Sequence, residues 1–149
     1  MNAYYAVTQK LYTELLDEVD INSVTKGDIT RIDINKKNIF PLAHVFISDA
    51  EINTQTIIFS VQVFAMNLRH ELEETISDKF IGNDNEDDNL NAMLYVLVRL
   101  HNKILKFGED FRVLNTPTLE AFTEEQENVV DGWVMSFQVE YPISEIDNC

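Results

Sequence analysis

Residues 56–66 read TIIFSVQVFAM and give the strongest strand prediction in the chain. Their β-branched and aromatic side chains fall on both faces, which is typical of a central strand covered on both sides. Residues 39–47 and 129–141 carry further strand patterns earlier and later in the chain. Pro41 stands near the start of the first of these, where the missing N–H of a proline is tolerated. These segments predict a sheet with 56–66 in its interior.

Two segments predict helices that pack on this sheet. In residues 3–19 the apolar side chains recur at steps of three and four. That row consists of Tyr4, Val7, Leu11 and Leu15, widened by Tyr12 and Leu16. Residues 90–107 predict a longer helix, with Asn89 as its N-cap and Gly108 as its stop. Its apolar row is Leu90, Leu94, Leu97, His101 and Ile104, thickened by Met93, Leu100 and Leu105.

The remaining segments predict shorter elements. Strands are expected at 28–34, 111–114 and 118–123, and a short helix at 67–80. Loops or turns are expected at 22–27, 35–38, 49–54, 82–88 and 124–128, and a loose tail at 143–149. The order predicts an α+β fold: a mostly antiparallel sheet flanked by an N-terminal helix and a long central helix. One domain is expected to span residues 1–149.

The charge of the chain narrows the classes of function. Among 149 residues, 26 are acidic and 11 basic, which gives a net charge of -15. With so few Lys and Arg residues, the chain is poorly suited to bind nucleic acid or an anionic membrane. From Phe107 onward there are 10 acidic residues and only Arg112 as a basic one. With one cysteine, no internal disulfide can form. The start lacks the basic and apolar regions of a signal peptide, and no apolar run is long enough to span a bilayer.

Nucleotide and zinc sites find no support in the motifs. The four glycines stand alone, so they build no phosphate-binding loop. His44, His70 and His101 are far apart and have no cysteine beside them, whereas structural zinc sites use clustered Cys and His. His44 is expected to be an ordinary strand residue and His101 a helix residue at the edge of the apolar face.

The sequence also supports neither a calcium-binding loop nor a catalytic site. Asp84, Glu86 and Asp88 alternate as in a calcium loop, but the later positions that need Gly and Glu hold Asn89 and Tyr95. Adjacent carboxylates such as those at 73–74 and 124–125 are more typical of exposed surface than of acid–base catalysis. The cysteine at position 149 has no base beside it in the sequence. We therefore expect no catalytic residue, no cofactor and no metal.

Several segments together resemble a known family. These are the N-terminal helix, the strand IFPLAHV at 39–45, the strand IFSVQVF at 58–64, the long helix after an acidic loop, and the closing GWVMSFQV at 132–139. In this combination the chain resembles the tail terminator, or tail completion, proteins of long-tailed bacteriophages and their neck-region relatives. The resemblance covers about residues 3–142. Trp133, within the last segment, is expected in the core or at a protein interface.

The resemblance implies a structural protein of the virion, assembled in the host cytoplasm. Six copies would form a ring that caps the tail tube and joins it to the head connector. The implied partners are the chain itself, the tail tube protein and the connector or neck protein. DNA would pass through the channel without specific binding. Six copies would carry about 90 negative charges, a field that repels DNA from the channel wall.

We therefore predict that acidic loops face the channel or the tube. The candidate residues lie in the 82–88 loop and the 124–131 turn, and they are Asp84, Glu86, Asp87, Asp88, Glu124, Glu125, Glu127 and Asp131.

Other functions remain open from the sequence. Within the phage family, a head-completion or connector ring or a baseplate component fits nearly as well. An acidic adaptor that mimics DNA is an alternative of a different class, supported by the charge. A small hydrolase with a carboxylate site is a third. The clustering of charge in predicted loops between apolar elements favours a scaffold over a DNA mimic.

Overall fold

The computed structural model describes residues 3–27, 39–69, 86–106, 111–125 and 129–142. Two helices and five strands lie in these ranges. In chain order they are α1 (Ala3–Leu16), β1 (Ser23–Lys26), β2 (Leu42–Ile52), β3 (Thr56–Leu68), α2 (Glu86–Lys106), β4 (Arg112–Glu125) and β5 (Val129–Pro142). This confirms the α+β class.

The five strands form one mixed sheet in the order β1-β2-β3-β5-β4. Only β1 and β2 run parallel, and the other three pairs are antiparallel, which confirms the mostly antiparallel prediction. The predicted central strand is β3, which pairs along its whole length with β5 from Thr56↔Pro142 to Leu68↔Val130. Because β2 covers its other edge, β3 lies in the middle of the sheet.

The first strand, β1, lies where the sequence predicted a loop. The backbone N–H of Asn22 donates to the carbonyl of Pro41 (2.8 Å), and β1 then pairs with the start of β2. A four-residue strand is too short for its alternation to stand out in the sequence. Its place is fixed instead by the neighbouring strand. Pro41 itself lies directly before β2, at the strand entry predicted for it.

Two other predicted breaks are absent because the neighbouring strands hold the chain extended. Strand β2 continues to Ile52, well into the predicted 49–54 link. Strand β4 is one strand where two were predicted, with a shift of register between Leu114 and Thr118. Asn115 has a φ of 59° at this point, so a bulge takes up the residues around Pro117 without ending the strand.

Both predicted helices are present with different ends and a rotated apolar face. α1 ends at Leu16, three residues earlier than predicted, and α2 begins at Glu86 rather than after Asn89. Leu16 and Leu105 belong to the predicted apolar rows but are 70% and 56% exposed. The core side of α2 consists of Met93, Val96, Leu97, Leu100 and Ile104.

The main core lies between the two helices and one face of the sheet. Alternate residues of β2, β3 and β5 point toward α1 and α2, among them Val45, Val61 and Val139. A smaller apolar cluster occupies the other face, built on Leu42, Met66 and Val130. On the helix face of β3 alternate side chains are buried, but on the other face only Met66 is, so the predicted cover on both sides is confirmed only at that end of the strand. The predicted strand at 28–34, the 70–80 part of the predicted helix and the predicted tail lie outside the described residues.

Candidate functional site

The predicted acidic residues fall into three groups in the structure. Glu86, Asp87 and Asp88 form the first turn of α2. Glu124 and Glu125 end β4 rather than forming a turn, while Asp84 and Glu127 lie outside the described residues. Asp131 lies within β5 and its side chain is fully buried, which corrects the expected 124–131 turn. Continued pairing of β4 with β5 is the physical reason for that correction.

A buried ion pair brings the two acidic segments together. Arg69, just after β3, donates from Nη2 to Asp131 Oδ1 (2.6 Å) and from Nε to Oδ2 (2.9 Å). Its Nη2 also lies 3.3 Å from Glu86 Oε1 at the start of α2. Thr123 on β4 donates its hydroxyl to Asp131 Oδ1 at 2.8 Å. One cluster therefore joins β3, β4, β5 and α2 at one end of the sheet.

The Asp131 carboxylate is held in its charged form. Burial by itself raises its pKa, but the hydrogen bonds from Arg69 and Thr123, the charge of Arg69 and a hydrogen bond with Asn89 outweigh burial, so the pKa lies below its usual value. A carboxylate so fully bonded has no free position for a substrate proton. The cluster is therefore suited to fixing elements in place, rather than to acid–base chemistry.

Asn89 is not the N-cap that the sequence predicted, but a residue inside α2 that binds the end of β3. It lies inside the first turn of α2 and is buried. Its Nδ2 donates to the carbonyl of Leu68 (2.8 Å), and its Oδ1 accepts from Asn67 Nδ2 (3.3 Å). On the sheet side, Trp133 Nε1 donates to the carbonyl of Leu90 at 2.8 Å. These bonds attach the start of α2 to β3 and β5, and they place Trp133 against the core.

A second ion-pair cluster connects the two helices. Arg99 on α2 donates from both Nε and Nη2 to Glu18, which is largely buried after α1. The same Nη2 donates to Asp20 at 2.8 Å. The hydrogen bonding of Arg99 to the Glu18 carboxylate is the main cause that raises the pKa of Arg99 above its usual value. Lys103 on α2 also reaches Glu14 on α1, with Nζ 3.7 Å from Oε2.

Ion pairing within the chain neutralises most of its described cations. The paired basic side chains are Lys10, Arg69, Arg99, Lys103 and Arg112. Exposed carboxylates at Asp49, Glu51, Asp87, Asp88 and Glu120, by contrast, form no ion pair with any described basic side chain. The described surface is consequently strongly anionic.

The histidine predictions can be followed for two of the three residues. His44 is a fully buried strand residue, and its Nε2 donates to the carbonyl of Gly27 (2.6 Å). Its Nδ1 is 2.7 Å from the Thr25 hydroxyl, which donates to it when the ring is neutral. His101 lies on α2 with intermediate exposure, and His70 is outside the described residues.

Within the described ranges, no group of three or more His, Cys, Asp or Glu side chains is arranged to hold a metal ion. Neither described helix combines the length and hydrophobicity that crossing a bilayer requires.

A shallow groove of about 270 Å³ lies across β2, β3, β5 and the bulge of β4. Its polar side chains are uncharged: Ser48, Ser60, Gln62, Asn115, Thr116, Ser136 and Gln138. The side chains at 60, 62, 136 and 138 alternate with core residues, so they lie on the face of the sheet opposite the helices. None of the described lining residues is titratable, so these side chains offer hydrogen bonds but no general acid or base.

Comparison with known proteins found no match: no protein-family model fits the chain, and no curated protein is significantly similar to it.

Two features of the structure were not predicted from the sequence: the Arg69 cluster and the polar groove. Arg69 is a single basic residue in an irregular segment, and its partners lie 17 and 62 residues further on. The polar groove joins side chains from four strands, so no single segment signals it. The sequence offers only one signal for Arg69: it is a rare basic residue close to the end of a predicted strand.

Proposed function

We propose that this protein is a structural subunit of a bacteriophage tail, which forms a ring that caps the tail tube and joins it to the head connector. The N-terminal helix and the long central helix are proposed to flank the sheet of each subunit in that ring. The proposed ring is a homohexamer assembled in the host cytoplasm, and its partners are the tail tube protein and the connector or neck protein.

The observation that carries this proposal is the uncompensated negative charge of the described surface. Five of the basic side chains are already bound to carboxylates of the same chain. Acidic side chains that pair with no described cation remain at the α2 start, Asp87 and Asp88, and at the far end of β2, Asp49 and Glu51. Such a surface repels polyanions, which suits a passage that DNA must cross without adhering.

The proposed channel-facing or tube-facing surface is the end of the sheet where α2 begins. Asp87 and Asp88 are exposed there, and the ends of β4 and the start of β5 lie at the same end through the register Glu125↔Val129. The described parts of the two candidate segments, 86–88 and 124–125, therefore belong to one end of the molecule. Asp131 is removed from the candidate surface, because its carboxylate is buried inside the subunit.

Mass measurement in solution and negative-stain imaging of the purified protein test the ring directly. A six-membered ring with a central hole supports the proposal. A chain that remains monomeric alone and also fails to bind isolated tail tubes contradicts it.

A pair of matched charge reversals tests which end faces DNA. Asp87→Lys with Asp88→Lys is expected to make assembled rings retain DNA in a gel-shift assay, since it places cations on the channel wall. Asp49→Lys with Glu51→Lys makes the same change of net charge at the other end of the sheet, and is expected to retain far less. Equal retention by the two variants would contradict the orientation.

A connector or baseplate ring is the nearest alternative within the phage family. Deletion of the gene in its phage distinguishes them: filled heads beside tails of abnormal length indicate a terminator, whereas normal tails that fail to join indicate a connector.

A further inference from the structure

Two bulges lie on opposite sides of the polar groove. Strand β2 has its bulge at Ser48, and strand β4 has its bulge at 115–117. Both lie at the same level of the sheet, because Val61, beside the first bulge, is the register partner of Phe137, beside the second. Bulges are frequent next to functional sites, since they redirect side chains. Strand pairing alone does not require two of them at one level, so the groove between them is a candidate binding site.

The floor of the groove consists of four polar side chains from β3 and β5. Gln62 is the register partner of Ser136, and Ser60 is the register partner of Gln138. Two amides and two hydroxyls thus form a square with like groups on its diagonals. The residues that the bulges insert add polar side chains at its sides: Ser48, Asn115 and Thr116. All of these lining residues are uncharged, in a chain of net charge -15.

Part of this polar surface is not used inside the protein. Gln138 Nε2 donates weakly to Ser60 Oγ at 3.5 Å. The side chains of Gln62 and Ser136 are half-buried, and neither has a hydrogen bond with any described residue. An amide and a hydroxyl therefore present both donors and acceptors to the groove. An apolar ligand would cover these groups without bonding to them, at a cost in free energy.

We infer that this groove binds a neutral sugar of one or two rings. Each sugar hydroxyl both donates and accepts, which matches a mixed lining of amides and hydroxyls. An anion would find no cation among the described lining residues, and Asp49, the register partner of Ser60, would repel it. Leu114, the register partner of Gln138, supplies an apolar contact for the C–H face of a sugar ring. The volume of about 270 Å³ lies just below the usual range of ligand pockets and limits the ligand to this size.

A peptide fits the groove less well than a sugar. Extended peptides bind by adding a strand to a free sheet edge, and helical ones by filling an apolar groove. This groove crosses the face of the sheet, and β3 beneath it is already paired on both of its edges. Its contribution to binding therefore comes from side chains rather than from a backbone ladder.

Titration of the isotope-labelled full chain, followed by NMR, measures binding at these side chains. The probes are maltose, cellobiose, lactose and N,N′-diacetylchitobiose, with acetyl-triglycine amide as a neutral peptide. At least one sugar is expected to shift the side-chain amide signals of Gln62 and Gln138, with a Kd of about 10 mM or less. The inference is overturned if no sugar shifts these signals, or if the peptide binds as tightly as the best sugar.

Gln62→Leu and Gln9→Leu are matched variants for that titration. Gln9 is exposed on α1, which packs on the other face of the sheet. Loss of one hydrogen bond should raise the Kd of Gln62→Leu at least about fivefold, whereas Gln9→Leu should stay within about twofold of the parent chain. Equal effects of the two changes would overturn the inference.

Asn115→Gly is a second variant, which keeps the bulge while removing an amide. The φ of 59° at Asn115 suits glycine, so the backbone is not strained by the change. Its Kd should rise at least about threefold, and unchanged binding would contradict a site between the bulges. One chain forms the whole groove, so the inference does not rest on the proposed ring. Rings that bind no sugar would overturn this inference alone, and sugar binding by a chain that never assembles would overturn only the proposed function.

Discussion

Arg69 and Asp131 form a two-pronged ion pair inside the protein, with Nη2–Oδ1 at 2.6 Å and Nε–Oδ2 at 2.9 Å. The Asp131 side chain is fully buried and that of Arg69 is only 11% exposed. Because the pair joins the end of β3 to β5 and reaches α2 through Glu86, it fixes the end of the sheet that carries the candidate acidic surface.

Replacement of Asp131 by Asn is expected to destabilise the fold by about 3 kcal/mol, because it leaves the buried Arg69 cation without the carboxylate that it binds on β5. Urea unfolding of the two proteins measures this difference. Asp87→Asn removes the same charge at an exposed position and should change the free energy of unfolding by less than about 0.5 kcal/mol. Equal effects of the two changes would show that the pair does not hold the sheet end.

The contribution of Asp131 should depend on pH in a defined direction. Its pKa in the folded protein lies below the ordinary value of 3.8. A depressed pKa stabilises the fold above the unfolded pKa, and this stabilisation is lost as the pH falls through the folded pKa. The difference in unfolding free energy between the parent and Asp131→Asn should therefore be constant from pH 7 to about 5 and shrink below about pH 4. A difference that grows on acidification would contradict the assignment.

Gly132 is expected to tolerate no side chain. A Cβ there would overlap the carbonyl oxygen of Ala65 and lie 2.9 Å from the Cα of Met66, so β3 and β5 would have to move apart. We expect Gly132→Ala to lower the free energy of unfolding, measured in urea, by about 3 kcal/mol or more.

Gly27→Ala is the comparison variant for that change. Gly27 has a φ of +93°, and nothing lies within 4 Å of the position that a Cβ would take, so only backbone strain opposes the substitution. A cost of about 1 kcal/mol is expected. A larger loss at Gly27 than at Gly132 would show that torsional strain, not the close approach of strands, dominates.

His44 is expected to secure β1. Its ring bonds to the carbonyl of Gly27 and the hydroxyl of Thr25, at the end of that strand. His44→Phe keeps an aromatic side chain but removes the hydrogen bonds to Gly27 and Thr25. We expect it to lower the free energy of unfolding by about 2 kcal/mol. Amide hydrogen exchange across residues 23–26 should accelerate more than exchange in the interior of β3. Thr25→Val removes only one of the two bonds and should cost about 1 kcal/mol. Unchanged exchange in β1 after His44→Phe would contradict this role.

The regular elements follow largely from the sequence. The β-branched residues on both faces of 56–66 predicted a central strand, and β3 is the middle strand of the sheet. Its second face is buried only at Met66, because both helices pack on the first face. The apolar periodicity of 3–19 and 90–107 predicted α1 and α2 to within three to four residues at each end. These features are local, since alternation and three-to-four spacing act within one segment.

The tertiary structure decided what depends on distant partners. Strand β1 exists because Pro41 and β2 bond to it, and β4 stays continuous through Asn115 because β5 pairs on both sides of the bulge. Asp131 became a buried, charged residue because Arg69, 62 residues away in sequence, reaches it.

By itself, the sequence determined the class of fold, the central strand and the excess of negative charge, because composition and periodicity need no partner. The tertiary structure decided which carboxylates form internal ion pairs and which remain unpaired on the described surface, because ion pairing depends on distances between residues that are remote in the chain. It also determined which face of α2 remains outside: both of its faces carry apolar residues, and only packing against the sheet selects between them.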